Sequence, residues 1–245
     1  MRYRTYGEFI ARWNTKLHSQ ISGNVMLTQL IDLTIEALEA IDAMEEFLAS
    51  STYIDWQHPA VLQQARALAA GTDDVEDITR RCFEFVRDDI RHSWDYRQNP
   101  VTCKASDVLA HGTGYCYAKS HLLAALLWAN QIPAGLCYQR LTITDVPPFC
   151  LHGLNAVYLP AHGWYRIDAR GNKPGVDAAF CPPQEQLAFA IRPPHEQDGR
   201  QIWSEPHPAI IHVLTQFATV EQVMDNLPDA DLHDAKDAAS ILIPL

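Results

Sequence analysis

The sequence predicts an α+β fold in which one strongly apolar helix packs against an antiparallel sheet. Two observations carry this. Ala118, Leu122, Leu123, Ala125, Leu126 and Ala129 recur at three- and four-residue steps, which is the period of a helix. Three β-rich segments then follow in close succession, 135–144, 151–159 and 164–168, and such short connections imply antiparallel pairing. At 245 residues, 47% hydrophobic and 20% charged, the chain is long enough for one sizeable core with an appended helical piece.

Taken in order, residues 1–50 read as a helical N-terminal extension, with Leu27, Leu30, Ile31, Ile35, Leu38, Ile41, Met44 and Leu48 on an apolar stripe. Core packing is the first expectation for that stripe. A partner-helix surface, through which copies of the chain would associate as a homo-oligomer, is the second. Residues 51–245 form the main domain. A helix begins at Pro59, whose fixed φ suits a first turn, and ends before Gly71. The next starts near Asp73 and Glu76, which have capping-box spacing, and carries Val75, Ile78, Cys82, Val86 and Ile90 on one face. Arg91 to Tyr96 reads as a polar and aromatic loop, and Ala105 to Ala110 as a short helix.

The strongly apolar helix is headed by Gly112-Thr113-Gly114-Tyr115-Cys116, and Asn130 and Pro133 supply its stop. The two glycines let the backbone come close to the helix mouth and leave a substrate carbonyl room to reach it. Pro160-Ala161-His162-Gly163 supplies a hairpin-type turn between the second and third strands. Gly171 to Gly175 is a loop, the proline-rich C-terminal part is mostly irregular, and residues 210–227 are helical in part.

Composition excludes several functions. A formal charge of -11 disfavours binding to nucleic acid or anionic lipid. No run is long and uncharged enough to span a membrane: Met26 to Leu48 holds Asp32, Glu36, Glu39, Asp42, Glu45 and Glu46. The opening residues lack the apolar core of a secretion signal, and the six cysteines have no short paired spacing, so reduced thiols and a cytoplasmic location are expected. Cys103, His111, Cys116 and His121 lack zinc-knuckle spacing, so neither metal nor cofactor is expected.

The chemistry converges on Cys116. A thiol in the first turn of a helix meets the positive end of the helix dipole, which favours its ionised form. Cysteine catalysis also needs a base near the sulfur and a third group to orient the base. His152 opens the second strand and Asp168 closes the third. If 160–163 is the turn between them, antiparallel pairing brings both to one sheet edge. Cys150, two positions before His152, is a core-packing residue first and a second thiol near the base second, while His121, one turn beyond Cys116, is equally a flanker of the site and a packing residue. Lys119 and Arg166 read as solvated charges.

Three stretches also carry a resemblance: Gly114-Tyr115-Cys116 heading a helix that ends in Ile132-Pro133-Ala134-Gly135, then His152-Gly153-Leu154-Asn155-Ala156-Val157-Tyr158, then Gly163-Trp164-Tyr165-Arg166-Ile167-Asp168-Ala169. Together they resemble the transglutaminase-like superfamily, in its bacterial cysteine protease branch rather than the calcium-dependent cross-linking enzymes. The upstream 85–93 and 104–109 resemble the approach to that core. The resemblance runs from about residue 55 to 230 and implies a papain-like core, with 51–245 as its catalytic domain. It implies Cys116 as nucleophile, His152 as base and Asp168 as orienter, acting on a peptide or small amide through an acyl-thioester. The oxyanion would be held by the Cys116 N–H and a second donor among His92, Ser93 and Trp94. The alternatives are an acyltransferase that passes the acyl group to an amine, and a binding module that keeps the residues without turnover.

Overall fold

The computed structural model describes residues 44–144, 146–232 and 240–242. The stripe residues from Leu27 to Ile41, and with them the expected association surface, lie outside the described residues. The described end of the extension packs on the main domain, where Phe47 is fully buried and Met44 nearly so.

Helix α1 (Pro59–Leu68) starts on Pro59, with the His58 side chain accepting from the Ala60 N–H. Helix α2 (Val75–Asp88) is capped one residue later than its sequence spacing suggests: the Asp74 carboxylate accepts from the Asp77 N–H at 2.8 Å. The stretch 91–96 is not a loop. It contributes strand β1 (Arg91–His92) and the single-turn helix α3 (Ser93–Tyr96). Helix α4 (Ala105–His111) ends on Gly112, whose φ of 62° is the left-handed cap that glycine takes most readily. Strand β2 (Thr113–Gly114) pairs in parallel with β1, His92 opposite Gly114.

Helix α5 (Cys116–Ala129) is the centre of the molecule, with Cys116 through Trp128 all buried. A helix apolar all round must be enclosed on every side, and α1, α2, α4 and the sheet enclose it. Asn130 and Pro133 end it as expected, the Asn130 Nδ2 donating to the Leu126 carbonyl at 3.0 Å.

The three expected strands are present as β3 (Ala134–Thr142), β4 (Phe149–Leu159) and β5 (Gly163–Ile167), paired antiparallel with the turn at 160–163. The C-terminal region is less irregular than its prolines suggest. It adds β6 (Ala179–Cys181) and β7 (Gln184–Gln186) as a hairpin, and β8 (Gln197–Asp198) and β9 (Gln201–Trp203), which lie against β3. Helices α6 (Pro208–Gln216) and α7 (Val220–Asp225) and strand β10 (Ser240–Leu242) complete it. The main sheet runs β10-β9-β3-β4-β5 with β8 beside β3, all antiparallel. Among the described residues no helix is long and apolar enough to cross a membrane.

Two contacts seat α5 on the sheet. The buried Asn155 side chain donates to the Ser120 carbonyl at 2.9 Å and to the Gly135 carbonyl at 3.2 Å, tying helix, β4 and β3 together. Gly153 lets β4 approach the first turn of α5: a Cβ there would stand 3.0 Å from the Tyr117 ring and 3.1 Å from its Cα.

Candidate active site

Cys116 is the first residue of α5, so its N–H has no partner within the helix. The Tyr115 cap offers no side-chain hydrogen bond either. The thiol is mostly buried, at 7% exposure, and opens into a cavity of about 570 Å³. Of the two glycines before it, Gly112 caps α4, and the Gly114 Cα packs close to the first turns of α5, where a Cβ would stand 3.2 Å from that of Ala118. Neither lines the cavity, so the expectation that they clear a path for substrate is corrected: they bend and seat the backbone.

His152 and Asp168 meet by register. The ladder pairs Asn155 with Ile167, so one further step sets Asp168 opposite Leu154, diagonal to His152 on the same side of the pleat. The His152 Nε2 and Asp168 Oδ2 are 2.7 Å apart, both residues buried. Asp168 also accepts from the Arg170 N–H at 3.1 Å and the Ala188 N–H at 3.0 Å. With Nε2 engaged by the carboxylate, Nδ1 is the ring nitrogen left for the Cys116 thiol, which lines the same cavity.

The electrostatics follow from these contacts. Burial by itself lowers the His152 pKa, but the Asp168 carboxylate and the Cys116 sulfur outweigh it and raise it to about 10. Burial works the other way on Asp168, yet the facing imidazolium and the two backbone N–H groups hold its carboxyl below the ordinary value. The site therefore favours a charged imidazole between two acceptors.

The three oxyanion candidates separate. His92 and Trp94 line the cavity. Ser93 does not: it is fully buried, with its hydroxyl 3.1 Å from that of Thr113, where it locks β1 to β2. His92 is kept neutral, because burial and then the Arg170 charge push its pKa well below the ordinary value. Its Nδ1 lies 3.6 Å from the Asp95 carboxylate, too far for a hydrogen bond.

Other sequence assignments change. Lys119 is not solvated: it is fully buried, and its ammonium donates to the carbonyls of Arg87 and Ile90 at the end of α2. Burial, reinforced by Arg170, lowers its pKa to about 7. Arg166 is also engaged, bridging Glu185 at 2.7 Å and Asp198 at 2.6 Å across β5, β7 and β8. Cys150 is half-buried and lines the same cavity as Cys116 rather than packing in the core. His121 packs, its Nδ1 2.8 Å from the Cys103 carbonyl. Among the described residues no cluster of His, Cys, Asp or Glu is arranged to hold a metal.

Sequence reasoning missed Asp95, Arg170 and Phe189. The Phe189 ring stands edge-on to His152 with centroids 4.9 Å apart. Asp95 takes Arg170 in a two-bond grip at 2.7 and 3.1 Å, joining α3 to the turn after β5. No local pattern signals that pairing, which joins positions 75 residues apart.

A model of the Transglutaminase-like superfamily matches residues 63–169, from within α1 to just past Asp168. No curated protein matches the chain. Similar solved structures include a candidate cysteine protease from Cytophaga hutchinsonii, 21% identical with a TM-score of 0.43, covering 52% of this chain and 42% of that one. The periplasmic domain of TgpA from Pseudomonas aeruginosa is 14% identical with a TM-score of 0.39, over 52% and 46% of the two chains. A structure described as a TGase is 12% identical with a TM-score of 0.33, over 73% and 42%. The chain thus spans less than half the length of each of these structures. Cys116, His152 and Asp168 all lie inside residues 63–169, the segment that matches the transglutaminase-like superfamily.

Proposed function

We propose that the chain is a thiol-dependent amide hydrolase of the peptidase kind, with Cys116 as nucleophile, His152 as general base and acid, and Asp168 as the group that orients His152. The observation that carries this reading is convergence. A helix N-terminus and the first half of β4 bring thiol and imidazole to one cavity, and the residue after β5 sets a fully buried carboxylate 2.7 Å behind the imidazole.

In the proposed reaction the Cys116 sulfur, having given its proton to His152, attacks the amide carbonyl carbon. The tetrahedral oxyanion is held by the Cys116 N–H at the head of α5 and by a second donor from His92 or Trp94. Neutral His92 suits that role, since its N–H donates a hydrogen bond without adding charge that would compete with His152. Collapse breaks the C–N bond, the leaving nitrogen takes the proton from His152, and a thioester remains on Cys116. Water then attacks as His152 accepts its proton, and the proton returns to the thiol as the carboxylic acid departs. An amine in place of water would give transfer. The six free cysteines suit a reducing, cytoplasmic setting, which belongs to the same proposal.

The test is purified protein on a panel of peptide and small-amide substrates. Cys116→Ala is expected to lose activity by at least about a thousandfold, and mass spectrometry of the wild type should trap an acyl adduct on Cys116. Added hydroxylamine that diverts most product to hydroxamate would assign the enzyme as an acyltransferase. Undiminished turnover in Cys116→Ala would sink the nucleophile assignment.

A further inference from the structure

The cavity wall nearest Asp168 carries more positive charge than it neutralises. Arg170 and Lys173 both line it and both bind Asp95, which is not itself a lining residue. Arg170 alone engages both carboxylate oxygens of Asp95, at 2.7 and 3.1 Å. Lys173 adds a contact at 2.7 Å to an oxygen Arg170 already holds. Two cations thus share one carboxylate, and Asp168, two residues before Arg170, is committed to His152. The excess is one positive charge, on a chain whose net charge is -11.

That charge is available to a ligand. The Lys173 side chain is 41% exposed, and of its three donors one reaches Asp95. Its neighbour on Asp95, Arg170, is close to the chemistry, the guanidinium lying 5.6 Å from the centre of the Phe189 ring that abuts His152. Elsewhere the cavity is lined by Leu141, Ile143, Leu151, Met224 and Leu227. Glu196, the acid at its rim, is occupied by the Thr142 hydroxyl and by the backbone N–H groups of Thr142 and Arg192. Arg192 lines the cavity as well, beside Glu196, so Arg170 and Lys173 form the cationic wall at the Asp95 side of a mixed apolar and polar enclosure, and a local positive wall on an acidic protein draws anions that the rest of the surface repels.

We propose that the cavity selects amides carrying a carboxylate beside the scissile bond, and that Lys173, backed by Arg170, is the residue that selects them. This rests on the acyl-transfer reading given above and adds a substrate class to it. Lys173 is a specificity residue: it touches the substrate carboxylate and takes no part in the bond changes.

The experiment uses fluorogenic peptide amides that differ only in Glu or Gln, placed on either side of the scissile amide. Wild-type protein is expected to prefer the Glu member of a pair by about tenfold in kcat/KM, through KM, the size of one partly exposed charge-assisted contact. Lys173→Glu should abolish or invert that ratio. Lys104→Glu, the same charge change at an exposed position that does not line the cavity, should keep it. The same peptides are titrated calorimetrically into Cys116→Ala protein, where binding needs no chemistry. Equal binding of Glu and Gln peptides, no binding of either, or a ratio untouched by Lys173→Glu overturns the proposal. A Glu preference in binding without turnover of any peptide by the wild type would leave the carboxylate site standing and refute the acyl-transfer reading instead.

Discussion

At the scale of single residues, the site is governed by how burial and neighbouring charge oppose each other. His152 is buried, which alone would favour the neutral ring, yet it is held charged because Asp168 lies 2.7 Å away. Asp168→Asn removes the largest effect that raises its pKa. We expect the His152 pKa to fall from about 10, followed by NMR titration of the imidazole, and amide turnover to fall by about 10³–10⁴-fold. His121 is the opposite case, a buried histidine with no carboxylate, its pKa lowered to about 4 by burial against the weaker effect of the Cys103 carbonyl. The sign follows. Between pH 6.5 and 4 the unfolded chain takes up a proton that the folded chain refuses, so this contribution is complete above 6.5 and is lost as the pH falls towards 4. The loss amounts to about 3 kcal/mol. Urea unfolding from pH 7 to pH 4 should show this acid limb, and His121→Gln should flatten it.

At the scale of elements, the site exists because two backbones come close. Gly153 sits beside Tyr117, the second residue of α5, so the separation of β4 from the helix mouth is set where a side chain is missing. Gly153→Ala pushes on Tyr117 backbone atoms, and because α5 is enclosed on every side it has little room to yield. We expect a loss of about 1–3 kcal/mol in stability by chemical denaturation, and a fall in amide turnover larger than the fraction unfolded explains, since Cys116 moves away from His152. Turnover that tracked the folded fraction alone would show that the approach serves packing only. The β1–β2 pairing is the second such device. Setting His92 opposite Gly114 fixes the His92–Trp94 segment beside the thiol, which a six-residue polar loop would not do.

At the scale of the whole molecule, the fold sorts its thiols. Burial raises the pKa of Cys82, Cys103, Cys137 and Cys150 to about 12, even though Cys150 shares the cavity with Cys116. Such thiols stay protonated and unreactive near neutral pH. Iodoacetamide at pH 7.5, read by peptide mass spectrometry, should label Cys116 well before any of these four, and denaturant should abolish the difference. His152→Ala should slow the labelling of Cys116 without speeding the others. Labelling of Cys150 at the rate of Cys116 would contradict this.

The sequence by itself determined the α+β class, the apolar helix headed by Cys116, the strand order and the turn at 160–163. It thereby determined that His152 and Asp168 meet at one sheet edge. Helix period, strand alternation and turn composition are local properties, and an antiparallel hairpin follows from a single turn. Tertiary structure decided what depends on neighbours distant along the chain. It buried Lys119 against the end of α2, bridged Arg166 to Glu185 and Asp198, and turned Cys150 towards the cavity. It locked Ser93 away from the site and joined Asp95 to Arg170 and Lys173. The short strands β6 to β9 also escaped, because two or three residues carry no period of their own and gain their pairing only from the partner they meet. Charge and burial are properties of a surrounding, and a surrounding exists only once the chain has folded.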